Sequence, residues 1–330
     1  MKIAVVGAGS WGTALAALAA DAGHQVALWA RRPEHAAEMD SARENRRYLP
    51  GRSLSPSITI TAALEAAAED ASMIVIALPS AWVGAAGAGQ RGHLVPEAVL
   101  VCASKGFEET TGQTLDRVLN DALPDHPAVL LSGPTFAVEI ARCLPAAAVV
   151  ASKVAAAATL VQQTLASELF RIYTTHDVAG VAVGGALKNV IAIAAGCADG
   201  LGFGNNARAA LITRGLNEMG RLAARLGGDP LTLAGLAGLG DLVLTCTGEL
   251  SRNRRVGLAL AAGRALPEIV AHLGQVAEGI DTARIGAELA RQLGVDMPIT
   301  TQVAAVLAGQ RTAREAVADL LSRESRSERG

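Results

Sequence analysis

The first twenty-two residues constrain the fold more than any other part of the chain. An aliphatic run, Lys2–Val6, leads into Gly7-Ala8-Gly9-Ser10-Trp11-Gly12 and then directly into the alanine-rich stretch Thr13–Ala22. Strand, GxGxxG and helix in that order suit a turn that cradles a dinucleotide. Gly7 permits the tight turn, Gly9 lets the backbone approach a pyrophosphate, and Gly12 lets the helix pack close to the strand. The helix N-terminus then offers unpaired N–H groups and a partial positive charge to the phosphates. Glycine accounts for 35 of 330 residues, so the pattern alone would mean little. Its setting gives it weight against the alternative, a glycine-rich turn that holds nothing.

Further aliphatic runs follow at Gln25–Trp29, Ile58–Thr61, Met73–Leu78, Val99–Ala103, Ala128–Leu131 and Ala146–Ala151, with helical stretches such as Ala62–Glu69 between several of them. Continuous apolar strands alternating with helices predict a parallel sheet covered on both faces. After about Asp177 the spacing turns helical, at Asn206–Leu226, Arg254–Ala262, Glu278–Leu293 and Ala313–Leu321, and strand signals stop. The expected fold is therefore α/β. A Rossmann-like, doubly wound, mostly parallel sheet domain spans residues 1–180, and an all-α substrate and catalytic domain spans 181–330. No Pro/Ser-rich linker separates them. The charged tail Ser322–Gly330 is expected to fray.

Composition removes several classes of function. With 51% hydrophobic and 18% charged residues, the bulk of the chain is not disordered. The net charge is −2, and no basic stretch is interleaved with aromatics, so no nucleic-acid partner is expected. The charge-free run Ala71–Gln90 raises the question of a membrane span. Pro79, Ser80 and the glycines after Met73–Leu78 fit a buried strand and a loop better. The N-terminus lacks the apolar run and cleavage site of a signal peptide, which points to the cytoplasm. Cys102, Cys143, Cys197 and Cys246 form no CxxC or Cys/His cluster, so reduced thiols and no metal are expected. Of the six histidines only His176 invites a reading as a proton relay, and a polar residue at a strand end explains it better.

Two other features bear on chemistry. The run Gln25–Trp29 ends in Ala30-Arg31-Arg32, with no carboxylate to repel a ribose 2′-phosphate and two arginines to bind one. NADP(H) is favoured, and NAD(H) stays open. Of the 29 basic residues only Lys2, Lys105, Lys153 and Lys188 are lysines. A lysine kept in such a chain suggests a task that needs a proton released near neutral pH. Lys188 lies in an apolar helical run, where a lysine either snorkels to solvent or lines an internal cleft. Ser251-Arg252-Asn253 opens a helix, and a capping hydroxyl, a guanidinium and backbone N–H groups there suit an anion as well as a solvated basic helix start.

Six motifs then give the chain a family. GAGSWGTALA at 7–16, SKG at 104–106, SGPTFAVEIA at 132–141, GALKNVIAIAAGCADGLGFGNNARAALITRGLNEM at 185–219, GLGDLVLTCTGELSRNRR at 238–255 and VAEG at 276–279 resemble the bacterial NAD(P)-dependent sn-glycerol-3-phosphate dehydrogenases over essentially the whole length. The resemblance implies reversible reduction of dihydroxyacetone phosphate to sn-glycerol 3-phosphate, feeding phospholipid synthesis, with that small molecule as partner. It makes Lys188 the proton donor and acceptor, and Lys105 a second lysine touching substrate and cofactor. Two ammonium groups at one site would depress each other's pKa. Asp241, after a tight GLGD turn, resembles a buried carboxylate that bonds a substrate hydroxyl and orients Lys188. Gly133, Thr135, Ser251, Arg252 and Asn253 match substrate contacts. Ala137, Arg252, Val276 and Glu278 match cofactor contacts. Ser10, Trp11, Arg31, Arg32 and Tyr48 match the adenosine-phosphate end, beside Gly7, Gly9 and Gly12. The helical half is compatible with a homodimer. A hydroxyacid, opine or ketopantoate reductase would share the first motif without needing a phosphate-binding SRN. A non-catalytic NADP(H)-binding regulator would have no use for both lysines.

Overall fold

A computed structural model describes residues 1–322, and nearly all of the Ser322–Gly330 tail lies outside the described residues. Eight strands form one sheet: β1 (Lys2–Val6), β2 (Gln25–Trp29), β3 (Ile58–Thr61), β4 (Met73–Ile76), β5 (Val99–Cys102), β6 (Ala128–Ser132), β7 (Ala146–Ala151) and β8 (Phe170–Thr175). Their order is β3-β2-β1-β4-β5-β6-β7-β8, and every neighbouring pair is parallel except β6–β7. Lys2 pairs with Gln25 on one side of β1, and Ile3 pairs with Met73 on the other. The chain leaves β1 toward β2 and β3 and then returns to the opposite flank at β4. That reversal opens a crevice beyond the carboxyl ends of β1 and β4, where ligands of such sheets bind.

β4 and β5 are buried at every residue, which is why they read as unbroken apolar runs. β8 was not among the expected strands. It is one of two edge strands, alternating buried Phe170 and Ile172 with exposed Arg171 and Tyr173, and so carries no continuous apolar run. A second difference follows β4, where a loop was expected. The chain there forms a 3₁₀ turn, Ser80–Trp82, and a short helix, Val83–Ala88. A Cβ at Gly84 or Gly87 would come within 3.0 Å of Val118 or 3.1 Å of Leu119, so this helix lies tightly on the helix Leu115–Ala122.

From Val178 onward the described chain is helical. One helix, Val178–Gly200, is long and apolar enough to cross a membrane by length and composition, yet 83% of its apolar window is buried inside the protein. It is apolar around its circumference because other elements enclose it, as expected of a central core helix. Asp177 caps it, its carboxylate accepting from the Gly180 amide at 2.9 Å. The helix Arg252–Ala261 crosses it in backbone contact. A Cβ at Gly196 would sit 2.1 Å from the Arg254 carbonyl oxygen, and one at Gly257 2.0 Å from that of Ile193. Asp199, near the end of the central helix, accepts from Arg208 at 3.0 and 3.1 Å and from Arg254 at 2.9 and 2.7 Å, pinning two further helices to it.

Gly257→Ala forces these two backbones apart. It is expected to cost about 3 kcal/mol or more of stability, seen as a clear fall in thermal midpoint. An unchanged midpoint would mean that the helices do not pack this closely.

Candidate active site

The cofactor loop is shaped by contacts that only glycine allows. Gly7 has φ +121°, and a Cβ there would lie 2.5 Å from the Ala77 carbonyl oxygen. At Gly12 a Cβ would fall 1.8 Å from the Gly7 carbonyl oxygen. Gly9 is different, because a Cβ there would meet nothing within 4 Å. Gly7 and Gly12 thus answer to packing, and Gly9 faces open space. The helix that follows, Ser10–Asp21, has no side-chain cap and no acidic residue in its first turn. Its first amides are therefore available to an anion. This cradle fits a dinucleotide pyrophosphate.

A cavity of about 770 Å³ runs from this loop to Lys105 and Lys188. All the residues expected at the site line it except Gly12, Gly133 and Asp241. Arg31 and Arg32 are exposed at its rim, and the Arg31 guanidinium sits 5.5 Å from the centre of the Trp82 ring. Tyr48 is half-buried, with its ring edge-on to His35 at 5.4 Å. His176 is exposed just beyond the end of β8 and does not line the cavity.

At the inner end, Asp241 is only 1% exposed and each of its oxygens accepts from a lysine. Lys188 Nζ reaches Oδ1 at 2.5 Å, and Lys105 Nζ reaches Oδ2 at 2.6 Å. Lys105 also donates to the Gly133 carbonyl at 3.1 Å, and Lys188 to the Thr245 hydroxyl at 3.0 Å. The lysine of the apolar helix therefore faces an internal cleft rather than snorkelling to solvent. Asp241 does not follow a tight turn. Residues Leu236–Gly240 form a π-helical turn running straight into the helix Asp241–Thr247, with Asp241 its first residue. A Cβ at Gly238 would lie 2.0 Å from the Leu233 carbonyl, so the widened turn is packed onto its own entry.

Burial is the main force on Lys188, pulling its pKa down to about 8; Asp241 opposes the fall and Lys105 adds to it. Mutual repulsion, the cause anticipated from the sequence, is thus a secondary contribution. Burial also pushes the Asp241 carboxyl up, but the charges of Lys105 and then Lys188 outweigh it and hold the carboxyl below its ordinary value.

The SRN segment has a more internal role than a simple anion cup. Ser251 caps the helix Arg252–Ala261 by accepting from the Arg254 amide at 3.2 Å. The Asn253 amide donates to Asn189 Oδ1 at 2.8 Å, and its oxygen accepts from the Gly279 amide at 3.0 Å. Arg252 is exposed and reaches the Val276 carbonyl at 2.6 Å. Glu278 crosses the cavity to the sheet half, accepting from the Ser80 amide at 3.2 Å and the Ser80 hydroxyl at 2.7 Å.

Sequence reasoning missed several residues of this site. Asn189 follows Lys188 directly, and Thr245 lies one turn beyond Asp241, so helical spacing from a proposed residue could have found both. Ser80, Trp82 and His35 carried no such signal. His35 is buried in the cavity wall beside the Ala8 backbone, with both ring nitrogens outside hydrogen-bond geometry, and burial, then Arg32, lowers its pKa.

Among the described residues, Asp241→Asn removes the carboxylate paired with the buried Lys188 and the partly buried Lys105. The Lys188 titration is expected to fall by about one unit or more, measured by pH-dependent labelling of that amine. The loss is also expected to cost about 3–5 kcal/mol of stability. An unmoved titration would contradict the charge arrangement.

Comparison with known proteins agrees along the whole chain. The family model described as NAD-dependent glycerol-3-phosphate dehydrogenase N-terminus matches residues 2–158, and the corresponding C-terminus model matches 177–318. A glycerol-3-phosphate dehydrogenase [NAD(P)+] of Solidesulfovibrio magneticus is 51% identical over 330 residues, covering 99% of this chain and 100% of that one. Its counterpart in Geobacter metallireducens is 51% identical over 334 residues, covering 100% and 99%. The crystal structure of glycerol-3-phosphate dehydrogenase from Coxiella burnetii superposes with a TM-score of 0.95 at 40% identity, covering 98% and 99%. A ketopantoate reductase from Ralstonia eutropha shares the fold alone, with a TM-score of 0.62 at 16% identity.

Proposed function

The chain belongs to the NAD-dependent glycerol-3-phosphate dehydrogenase family, and from that premise we propose that Lys188 is its catalytic acid and base. The activity is the NAD(P)-dependent interconversion of dihydroxyacetone phosphate and sn-glycerol 3-phosphate, an oxidoreductase step that supplies lipid synthesis. The observation that carries the assignment is the buried Lys105–Asp241–Lys188 array at the inner end of the dinucleotide cavity.

The bound dinucleotide supplies the hydride. In reduction, Lys188 Nζ gives its proton to the oxygen at C2 of the substrate; in oxidation the neutral amine takes it back. A group with a pKa of about 8 can do both near physiological pH. The Lys105 ammonium stabilises negative charge developing on that oxygen. Asp241 keeps both amines in place and counterbalances one of their two charges. Arg252 and the first amides of the Arg252–Ala261 helix are assigned to the substrate phosphate. Such a site needs a phosphate on the substrate, which separates it from the hydroxyacid and opine enzymes.

NADP(H) is the preferred cofactor in this reading. Arg31 and Arg32 stand exposed at the cavity rim, where a 2′-phosphate would need them, and Ala30 rather than a carboxylate stands at the end of β2. A cytoplasmic location is proposed from the cofactor chemistry and the four unbridged cysteines. The homodimer rests on the apolar character of the helical half, and light scattering tests it.

Lys188→Met should lower turnover about 10²- to 10⁴-fold in a protein that still folds and binds NADPH; normal turnover would refute the assignment. The linkage has opposite signs in the two directions. Reduction needs the protonated amine, so its rate falls as pH rises through about 8, whereas oxidation needs the free amine and gains over the same interval.

Replacing both Arg31 and Arg32 by alanine should cut the preference for NADPH over NADH about tenfold or more. Parallel assays with dihydroxyacetone phosphate and each cofactor read the ratio, and an unchanged ratio would remove the arginines from that role.

A further inference from the structure

Between the helix Pro33–Ala42 and β3 the chain makes a detour that the reaction has not yet accounted for. It closes on itself. Glu44 bridges Ser53, the Leu54 amide donates to the Arg43 carbonyl at 2.7 Å, and the Gly51 amide donates to the Glu44 carboxylate at 2.8 Å. One side chain from this segment, Asn45, is fully buried. Its amide nitrogen donates to the Ala8 carbonyl at 3.0 Å and to the Thr13 hydroxyl at 2.8 Å, and its oxygen accepts from the Tyr48 amide at 3.2 Å. A second tie runs the other way, from the Ser10 hydroxyl to the Tyr48 carbonyl at 2.6 Å.

We propose that Asn45 is the positioning residue of the cofactor loop: it sets the plane of the Ala8 peptide so that the loop presents amides, and not a carbonyl, to the dinucleotide pyrophosphate. The inference rests on the reading of residues 7–12 as a dinucleotide loop. Ala8 lies between Gly7, with φ +121°, and the open position Gly9, where neighbouring side chains do little to hold the peptide plane. A peptide there has two ways to face. With its oxygen toward the cavity it would repel phosphate, and with its oxygen on Asn45 it cannot. Both amide hydrogens of Asn45 are used, one on the loop and one on the first turn of the following helix, so one planar group fixes the loop relative to that helix. No apolar or acidic residue could do this. A carboxylate at the same place would offer only acceptors to the Ala8 oxygen.

The unmodified protein reports on its own cofactor, because all three of its tryptophans, Trp11, Trp29 and Trp82, line the cavity. NADPH is titrated by quenching of this fluorescence, and steady-state constants are measured alongside for wild type, Asn45→Ala and Thr13→Val. The expected result for Asn45→Ala is a Kd for NADPH raised about tenfold, with kcat at saturating NADPH and KM for dihydroxyacetone phosphate within about twofold of wild type. Thr13→Val removes one of the two acceptors while keeping the shape, and should raise Kd about threefold. It decides the matter if Asn45→Ala does not fold. Unchanged NADPH affinity in the folded variants, or kcat and both binding constants impaired together, would overturn the positioning role while leaving the function reading intact. Failure of the wild type to bind either NADPH or NADH would overturn the cofactor reading and this inference with it.

Discussion

Asp241 can stay ionised inside the protein only because Lys105 and Lys188 each reach one of its oxygens, and that requirement dictates where three separate elements must meet. Lys105 follows β5 at the carboxyl edge of the sheet. Lys188 projects from the middle of the central helix, and Asp241 from the helix that begins after the π-helical turn. Taking away either kind of charge leaves the other buried without compensation. With one carboxylate between two ammonium groups, the array keeps an excess of positive charge facing the cavity. That excess suits a reaction in which a carbonyl oxygen takes on negative charge and the substrate carries a phosphate.

The array needs a scaffold that does not give. The central helix supplies it by being wrapped on all sides, and the Arg252–Ala261 helix is seated on it where Gly196 and Gly257 bring two backbones into contact. Side chains between helices have alternative rotamers, but backbone carbonyls in contact do not. The Asp199 carboxylate adds a fixed electrostatic tie by holding Arg254 from that helix and Arg208 from the next. Ser251, Arg252 and Asn253 therefore inherit their position from a helix fixed to the one that carries Lys188. Asn253 extends the connection through Asn189 and Gly279 to the neighbourhood of Glu278, so that the inner and outer parts of the cavity share one framework.

Much of this is legible in the chain wherever burial is symmetric. β1, β4 and β5 are enclosed on both faces and announce themselves as apolar runs. β8 is half solvated, and its alternating Phe170-Arg171-Ile172-Tyr173 hides it. The glycine loop reads correctly because strand, turn and helix are contiguous in sequence. Asn45 is invisible for the opposite reason: the two acceptors of its amide nitrogen lie 32 and 37 residues away, and a lone asparagine in a polar stretch looks like any surface turn. Asp241 stands out only through a family motif, and the lysines through rarity as well, but composition cannot show that residues 105, 188 and 241 converge. The lowered pKa of Lys188 is legible only in part. Sequence suggested two like charges, whereas enclosure by an apolar helix is the larger effect, and enclosure is a property of packing.

That difference changes what the scarcity of lysine means. A guanidinium at position 188 could hold positive charge beside Asp241 but could not release a proton in the working pH range. Lys2 only reaches a backbone carbonyl at Glu69, and Lys153 is exposed, so rarity by itself does not mark a catalytic amine. What marks Lys188 is rarity together with burial in a helix whose neighbouring residues, Leu187, Val190 and Ile191, are all fully buried. Were repulsion from Lys105 the dominant cause, the proton affinity of Lys188 would depend on one side-chain distance. Because burial dominates, it depends on how well the whole helical half excludes water. In the proposed mechanism the apolar residues of the central helix thus act on the chemistry without touching the substrate: by keeping the amine dry, they bring its pKa to about 8, where it could both give and take a proton.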